Sequence, residues 1–169
     1  MKKLFFIAIS SIFIFGCKKQ HCERDLCNIE KVYADNETKV TLANGFWGTV
    51  SMMEGNCMPM VPPTGSSCKH CAVKRTLKVY DYTTLSQATP AGNSTVFFLS
   101  LSTALITQVE SDDAGFFQVN LPAGIYTVVV VEDGKLYAPL GDTNQGLNPV
   151  TVSAGAKRFD VVMTYKAVF

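Results

Sequence analysis

The sequence predicts an all-β fold, a seven- to eight-stranded antiparallel β-sandwich that follows a signal peptide and a short tether. Three observations carry this. From residue 44 onward apolar side chains recur at every second position, and no run sustains a 3.6-residue period. Clusters of Gly, Pro, Asp and Asn cut these stretches into short, regularly spaced pieces. Eleven Phe and six Tyr, with many Val and Thr, favour strands. At 169 residues, 47% hydrophobic and 17% charged, the chain can bury one domain's core and is not globally disordered. A net charge of +1 excludes a strongly electrostatic partner such as nucleic acid, which needs a clustered basic face.

The N-terminus reads as an address. Met1-Lys2-Lys3 is basic, and the apolar run Leu4 to Phe15 is broken only by Ser10 and Ser11. A bilayer span needs about 20 apolar residues, so this shorter run reads as a secretory signal peptide. Its end, Ile14-Phe15-Gly16-Cys17, resembles the lipobox of bacterial lipoproteins. The resemblance implies removal of residues 1–16, lipidation of Cys17, and anchorage in the cell envelope, at the outer membrane. Processing would remove Lys2 and Lys3 and no acid, taking the net charge to −1. Residues 17–43 read as a polar tether, with a short helical turn around Cys22 to Lys31.

The domain spans 44–169. Phe46 to Glu54 is the first strand, with Phe46, Val50 and Met52 on one face. A Cys/Pro-rich insertion at 54–71 follows. Val73 to Tyr82 turns Val73, Leu77 and Val79 inward and Lys74, Thr76 and Lys78 outward. After the polar loop Thr83 to Asn93, the apolar run Thr95 to Leu101 reads as a central strand, continued by Leu105, Thr107 and Val109. Ser111 to Gly115 is a turn in which Asp supplies local hydrogen bonds and Gly positive φ. Phe117, Val119 and Leu121 share a face, Pro122-Ala123-Gly124 turns the chain, and Ile125 to Val131 is β-branched. Glu132-Asp133-Gly134-Lys135 carries the Asp-Gly hairpin signal before Leu136-Tyr137. Val150 to Val152 and Phe159 to Phe169 complete the set, the latter alternating Phe159, Val161, Met163 and Tyr165 with polar residues.

Export implies an oxidising compartment. Apart from Cys17, five cysteines remain, Cys22, Cys27, Cys57, Cys68 and Cys71, so at least one lies outside any pair within the chain. Cys22 and Cys27 are close enough for a local bridge. A bridge from Cys57 to Cys68 or Cys71 would pin the insertion. The alternative is a metal site: Cys57, Cys68, His70 and Cys71 offer three thiolates and an imidazole, a tetrahedral zinc set. Met52, Met53, Met58 and Met60 add thioethers that suit copper(I). A less favoured reading makes Cys68-Lys69-His70-Cys71 a redox motif, which requires a helix N-terminus that its flanks do not supply.

Residues 111–128, with Ser111-Asp112-Asp113-Ala114-Gly115-Phe116-Phe117-Gln118-Val119 running into Leu121-Pro122-Ala123-Gly124-Ile125-Tyr126, resemble the signature of carboxypeptidase regulatory-like domains. Gly48-Thr49-Val50 is similar to that family's opening strand. The resemblance covers roughly 46–169 and implies a prealbumin-like (transthyretin-like) sandwich serving as a non-catalytic accessory module. The lipid anchor and the insertion at 54–71 depart from the family pattern.

No catalytic constellation is legible. His21 lies on the tether, and His70 has only Ser66 or Ser67 nearby in sequence. Asp112, Asp113 and Asp142 read as turn formers, with weak Ca²⁺ binding as their alternative. Gly141 to Gly146 lacks the spacing of a phosphate loop. The expectation is therefore a non-enzymatic module without a cofactor. Its partners would be the membrane, through the anchor, and an envelope protein or peptide met through an exposed sheet edge.

Overall fold

A computed structural model describes residues 25–59 and 67–169. Two sheets pack face to face. In the first, β1 (Gly45–Asn56) is the central strand. Along one flank it pairs in parallel with β11 (Ala156–Arg158) and then β12 (Val161–Val168). Along the other it pairs antiparallel with β7 (Phe116–Val119) and β2 (Lys69–Ala72). The second sheet runs β4 (Ala88–Pro90), β5 (Phe97–Leu101), β9 (Lys135–Tyr137), β8 (Gly124–Glu132), β3 (Thr76–Asp81), β6 (Leu105–Glu110). There β10 (Pro149–Val152) also pairs with β8, and every ladder is antiparallel. The fold is a β-sandwich, as the alternation predicts. Its described strands number twelve because short rungs such as β2, β4 and β11 lack a sequence signal of their own.

The core lies where the period-2 pattern puts it. Phe46, Val50 and Met52 of β1 face Leu77 and Val79 of β3 and Val128 and Val130 of β8 across the sandwich, all at most 5% exposed. A second cluster lies on the outer face of the other sheet, where Phe98, Val129 and Leu136 pack with Tyr80, Ala138 and Leu147. It buries β8 on both faces, which its unbroken Val128–Val131 run requires. The run Thr95 to Leu101, read as central, becomes β5, second from the sheet edge: Phe98 is fully buried but Leu99 is 59% exposed.

The turns follow their chemistry. Glu132 pairs with Lys135 around Asp133 (φ 48) and Gly134 (φ 73), the two positive values a tight hairpin needs. In the β6–β7 turn the Asp112 carboxylate accepts from the amides of Ala114 and Phe116. Gly115 there (φ 72) accepts a bond from Val50 N–H, and a Cβ on it would sit 2.2 Å from the Val50 carbonyl oxygen. A register shift in β12 after Met163 leaves Thr164 N–H donating to the Tyr137 hydroxyl at 3.1 Å.

Glu132 closes one end of the core. It is 6% exposed and accepts from Arg75 Nε and the Tyr165 hydroxyl. Burial pushes its pKa up, but the hydrogen bonds from Arg75 and Tyr165 and the charges of Arg75 and Lys166 outweigh that and hold it below the ordinary value. Such a group stabilises the fold above the unfolded-state pKa and loses that contribution as pH falls through the lower folded value. Acid unfolding is therefore expected to include a component setting in below about pH 4.5. A Glu132→Gln variant should lack it, as read from urea midpoints across the acid range.

Candidate functional site

Of the residues singled out by the sequence, His70 and Cys71 lie on β2 beside β1, and His70 reaches the outer face of β1. Trp47, Thr49 and Ser51 share that face because strand side chains alternate, and it is covered rather than solvated. The cover is α1 (Ile29–Glu37), within the stretch read as tether. Asn28 caps it, its side chain accepting from Lys31 N–H at 3.5 Å, and Lys31 pairs with Asp35 one turn on. Val32 and Asn36 are its buried residues.

Beneath α1 the contacts are polar. Asn36 Nδ2 donates to Thr49 Oγ1 at 2.8 Å and to the Ala114 carbonyl at 2.9 Å, while its Oδ1 has no partner. His70 Nε2 is 2.9 Å from Ser51 Oγ, and the Tyr33 hydroxyl lies 3.5 Å from the same oxygen. The Arg158 guanidinium sits over both the Tyr33 ring (5.0 Å) and the Trp47 ring (5.4 Å), and its Nε donates to Asp160. Burial pushes the His70 pKa down against the opposing charge of Glu30 and keeps the ring neutral near pH 7. Burial likewise raises the Tyr33 phenol. Asn36→Ala removes two hydrogen bonds at a buried site and is expected to cost about 1–2 kcal/mol in denaturant unfolding.

Two disulfides fasten this region. Cys57 bonds Cys68, one of the two pairings expected for the insertion, and closes a loop of which residues 60–66 lie outside the described residues. Cys27 bonds Cys71, which replaces the local Cys22–Cys27 bridge. The reason is spatial: α1 lies back across β1, which brings Cys27 to β2, whereas sequence distance favours its near neighbour. Cys17, Cys22 and His21 lie outside the described residues.

These pairings bear on the other readings. With Cys57, Cys68 and Cys71 in disulfides, the thiolates of the zinc or copper set formed with His70 are not on offer in this oxidised form. Among the described residues no three His, Cys, Asp or Glu side chains cluster to hold a metal ion. Cys68 and Cys71 bond different partners, and β2 begins immediately after Cys68, so the CxxC spacing neither forms its own bridge nor opens a helix. Asp142 is engaged by the amides of Asn144 and Gly146 and by the Tyr82 hydroxyl, and Asp112 by its own turn and Lys39. His70 finds a serine, but it is Ser51 rather than Ser66 or Ser67. Ser51 is fully buried, so its hydroxyl cannot meet a substrate while α1 is in place. The signal for this pair was weak, since Ser51 occupies an ordinary outward position of a strand. No family model, curated protein or solved structure matches the chain.

Proposed function

We propose that this protein is an exported, lipid-anchored, non-enzymatic binding or structural module of the bacterial cell envelope. The observation that carries this reading is the disulfide pair. Cys27–Cys71 fastens the segment of α1 onto β2 and Cys57–Cys68 closes the insertion loop, as suits an oxidising compartment, instead of presenting paired thiols. The lipobox-like Ile14-Phe15-Gly16-Cys17 supplies the anchor, and the resemblance of residues 111–128 to carboxypeptidase regulatory-like domains agrees with an accessory role. A lipid chain on Cys17 buries apolar CH₂ groups at about 0.8 kcal/mol each, and two or more chains hold the module at the membrane. An envelope protein or peptide is then met by the loops and sheet edges.

Purification from the membrane fraction, followed by intact mass, thiol counting and metal analysis, tests the reading. The expected species lacks residues 1–16, carries acyl chains on Cys17, contains both disulfides and holds no stoichiometric metal. An unprocessed N-terminus overturns the anchor. Zinc or copper that is lost in a Cys68→Ser/Cys71→Ser variant overturns the non-metal reading.

A further inference from the structure

We propose that α1 is a lid latched by the Cys27–Cys71 disulfide. Its reduction by a dithiol would release the helix and uncover the face of β1 formed by Trp47, Thr49 and Ser51, with His70 beside it. This goes beyond the module reading and does not depend on the anchor.

Four observations carry it. The helix has nine residues, and helices shorter than about 12–15 residues are marginal on their own in water. It buries only Val32 and Asn36, so little apolar area holds it down. The strand positions it touches are polar: Thr49 and Ser51 are fully buried, and their contacts with α1 are hydrogen bonds that water can replace, while Trp47, 7% exposed, lies under the Arg158 guanidinium that also covers the Tyr33 ring of α1. Finally, the segment is fixed at two points. The chain itself joins α1 to β1 through residues 38–44, and the disulfide joins Cys27 to β2. The covalent bond keeps a weakly held element at high effective concentration over its site. Once the bond is cut, residues 38–44 are the covalent link, among the described residues, that joins α1 to the sandwich.

The two bonds differ in what they fasten. Cys57–Cys68 closes a loop of its own, with eleven residues of sequence separation, and does not tie down α1. Cys27–Cys71 spans 44 residues and holds α1, and Cys27 is an exposed residue at the surface, where thiol–disulfide exchange takes place. The exchange is balanced. One thiolate of the dithiol attacks Cys27 Sγ, a mixed disulfide forms, and Cys71 leaves as a thiolate that takes up a proton. The second thiol of the dithiol attacks the mixed disulfide and releases Cys27 as a thiol. The dithiol is oxidised to its disulfide and the protein bond is reduced to two thiols.

Trp47 is the chain's single tryptophan, and it reports on α1 through the Arg158 guanidinium that it shares with Tyr33. The test measures acrylamide quenching of Trp47 and amide exchange of residues 29–38 in the full chain, with and without dithiothreitol. It is run on wild type, Cys27→Ser/Cys71→Ser and Cys57→Ser/Cys68→Ser. In wild type and in the Cys57/Cys68 variant, dithiothreitol should raise exchange in 29–38 roughly tenfold or more and expose Trp47, with β3 and β8 still protected. The Cys27/Cys71 variant should behave this way before any reductant is added. Unchanged protection of 29–38 after the bond is cut overturns the proposal. So does joint loss of protection in α1, β3 and β8, which would make the helix part of the cooperative core rather than a lid.

Discussion

Replacing Phe46 with alanine is expected to lower the unfolding free energy by about 3–5 kcal/mol, the range for emptying a large aromatic site in a core. Phe46 is fully buried on β1, the strand on which the first sheet is built. Its ring meets Phe117 of β7 edge-on at 6.0 Å and Phe159, beside β12, at 5.9 Å. The truncation therefore opens space at a point where three separate segments of the chain meet, and no single neighbour can fill it. Each lost aromatic pair adds about 0.5–1.5 kcal/mol to the area term, which places the cost at the upper end of the range. Because small domains are stable by only about 5–15 kcal/mol, a third or more of the total would go. Urea unfolding with the disulfides intact should show a lower midpoint at an unchanged slope. A shift below about 1 kcal/mol would mean that the three rings are not packed as described.

Gly48→Ala should cost about 3 kcal/mol for the opposite reason, crowding. The chain passes from β11 to β12 directly alongside Gly48: Phe159 N–H donates to the Trp47 carbonyl, and Thr49 N–H donates to the Asp160 carboxylate. A Cβ on Gly48 would lie 2.0 Å from the Phe159 carbonyl oxygen and 2.6 Å from its carbon. Both are backbone atoms, so the added methyl forces the crossover away from β1 and breaks these bonds. Gly141→Ala is the matched control. Its nearest heavy atom is 3.6 Å away, and its stability should change by less than about 0.5 kcal/mol. Equal effects of the two substitutions in a thermal melt would refute the close approach.

The inward faces of the sandwich were legible because burial on one side of a strand imposes a period of two. Leu77 and Val79, Phe117 and Val119, and Val161 and Met163 all lie where the alternation places them. The Asp133-Gly134 hairpin was legible because few residues tolerate its positive φ values. The parallel pairing of β1 with β11 and β12 was not, since no local pattern records a partner more than a hundred residues away. The sequence showed only a short helical turn around Cys22 to Lys31, whereas α1 runs Ile29–Glu37, because its nine residues are mostly polar and are held by Asn36, Val32 and a disulfide rather than by a broad apolar stripe. Disulfide connectivity was underdetermined by spacing, as it is in general. The Ser51–His70 contact was hidden because it joins an ordinary strand position to a residue of the insertion.

The parallel seam also bears on the order of assembly. Hairpins such as β8–β9 join neighbours in the chain and can form early, at small loop-closure cost. The strand at the middle of the first sheet can gain β2 and β7 on one flank early, but its parallel flank stays open until the last residues arrive, since Gly45 pairs with Ala156 and Asn56 with Val168. A chain made from its N-terminus leaves the β1 face without Val161 and Met163, which complete the core around Phe46 and Val50, until its last segment is made. High contact order of this kind slows folding, and it makes the C-terminal dozen residues the step that commits the protein to its native state.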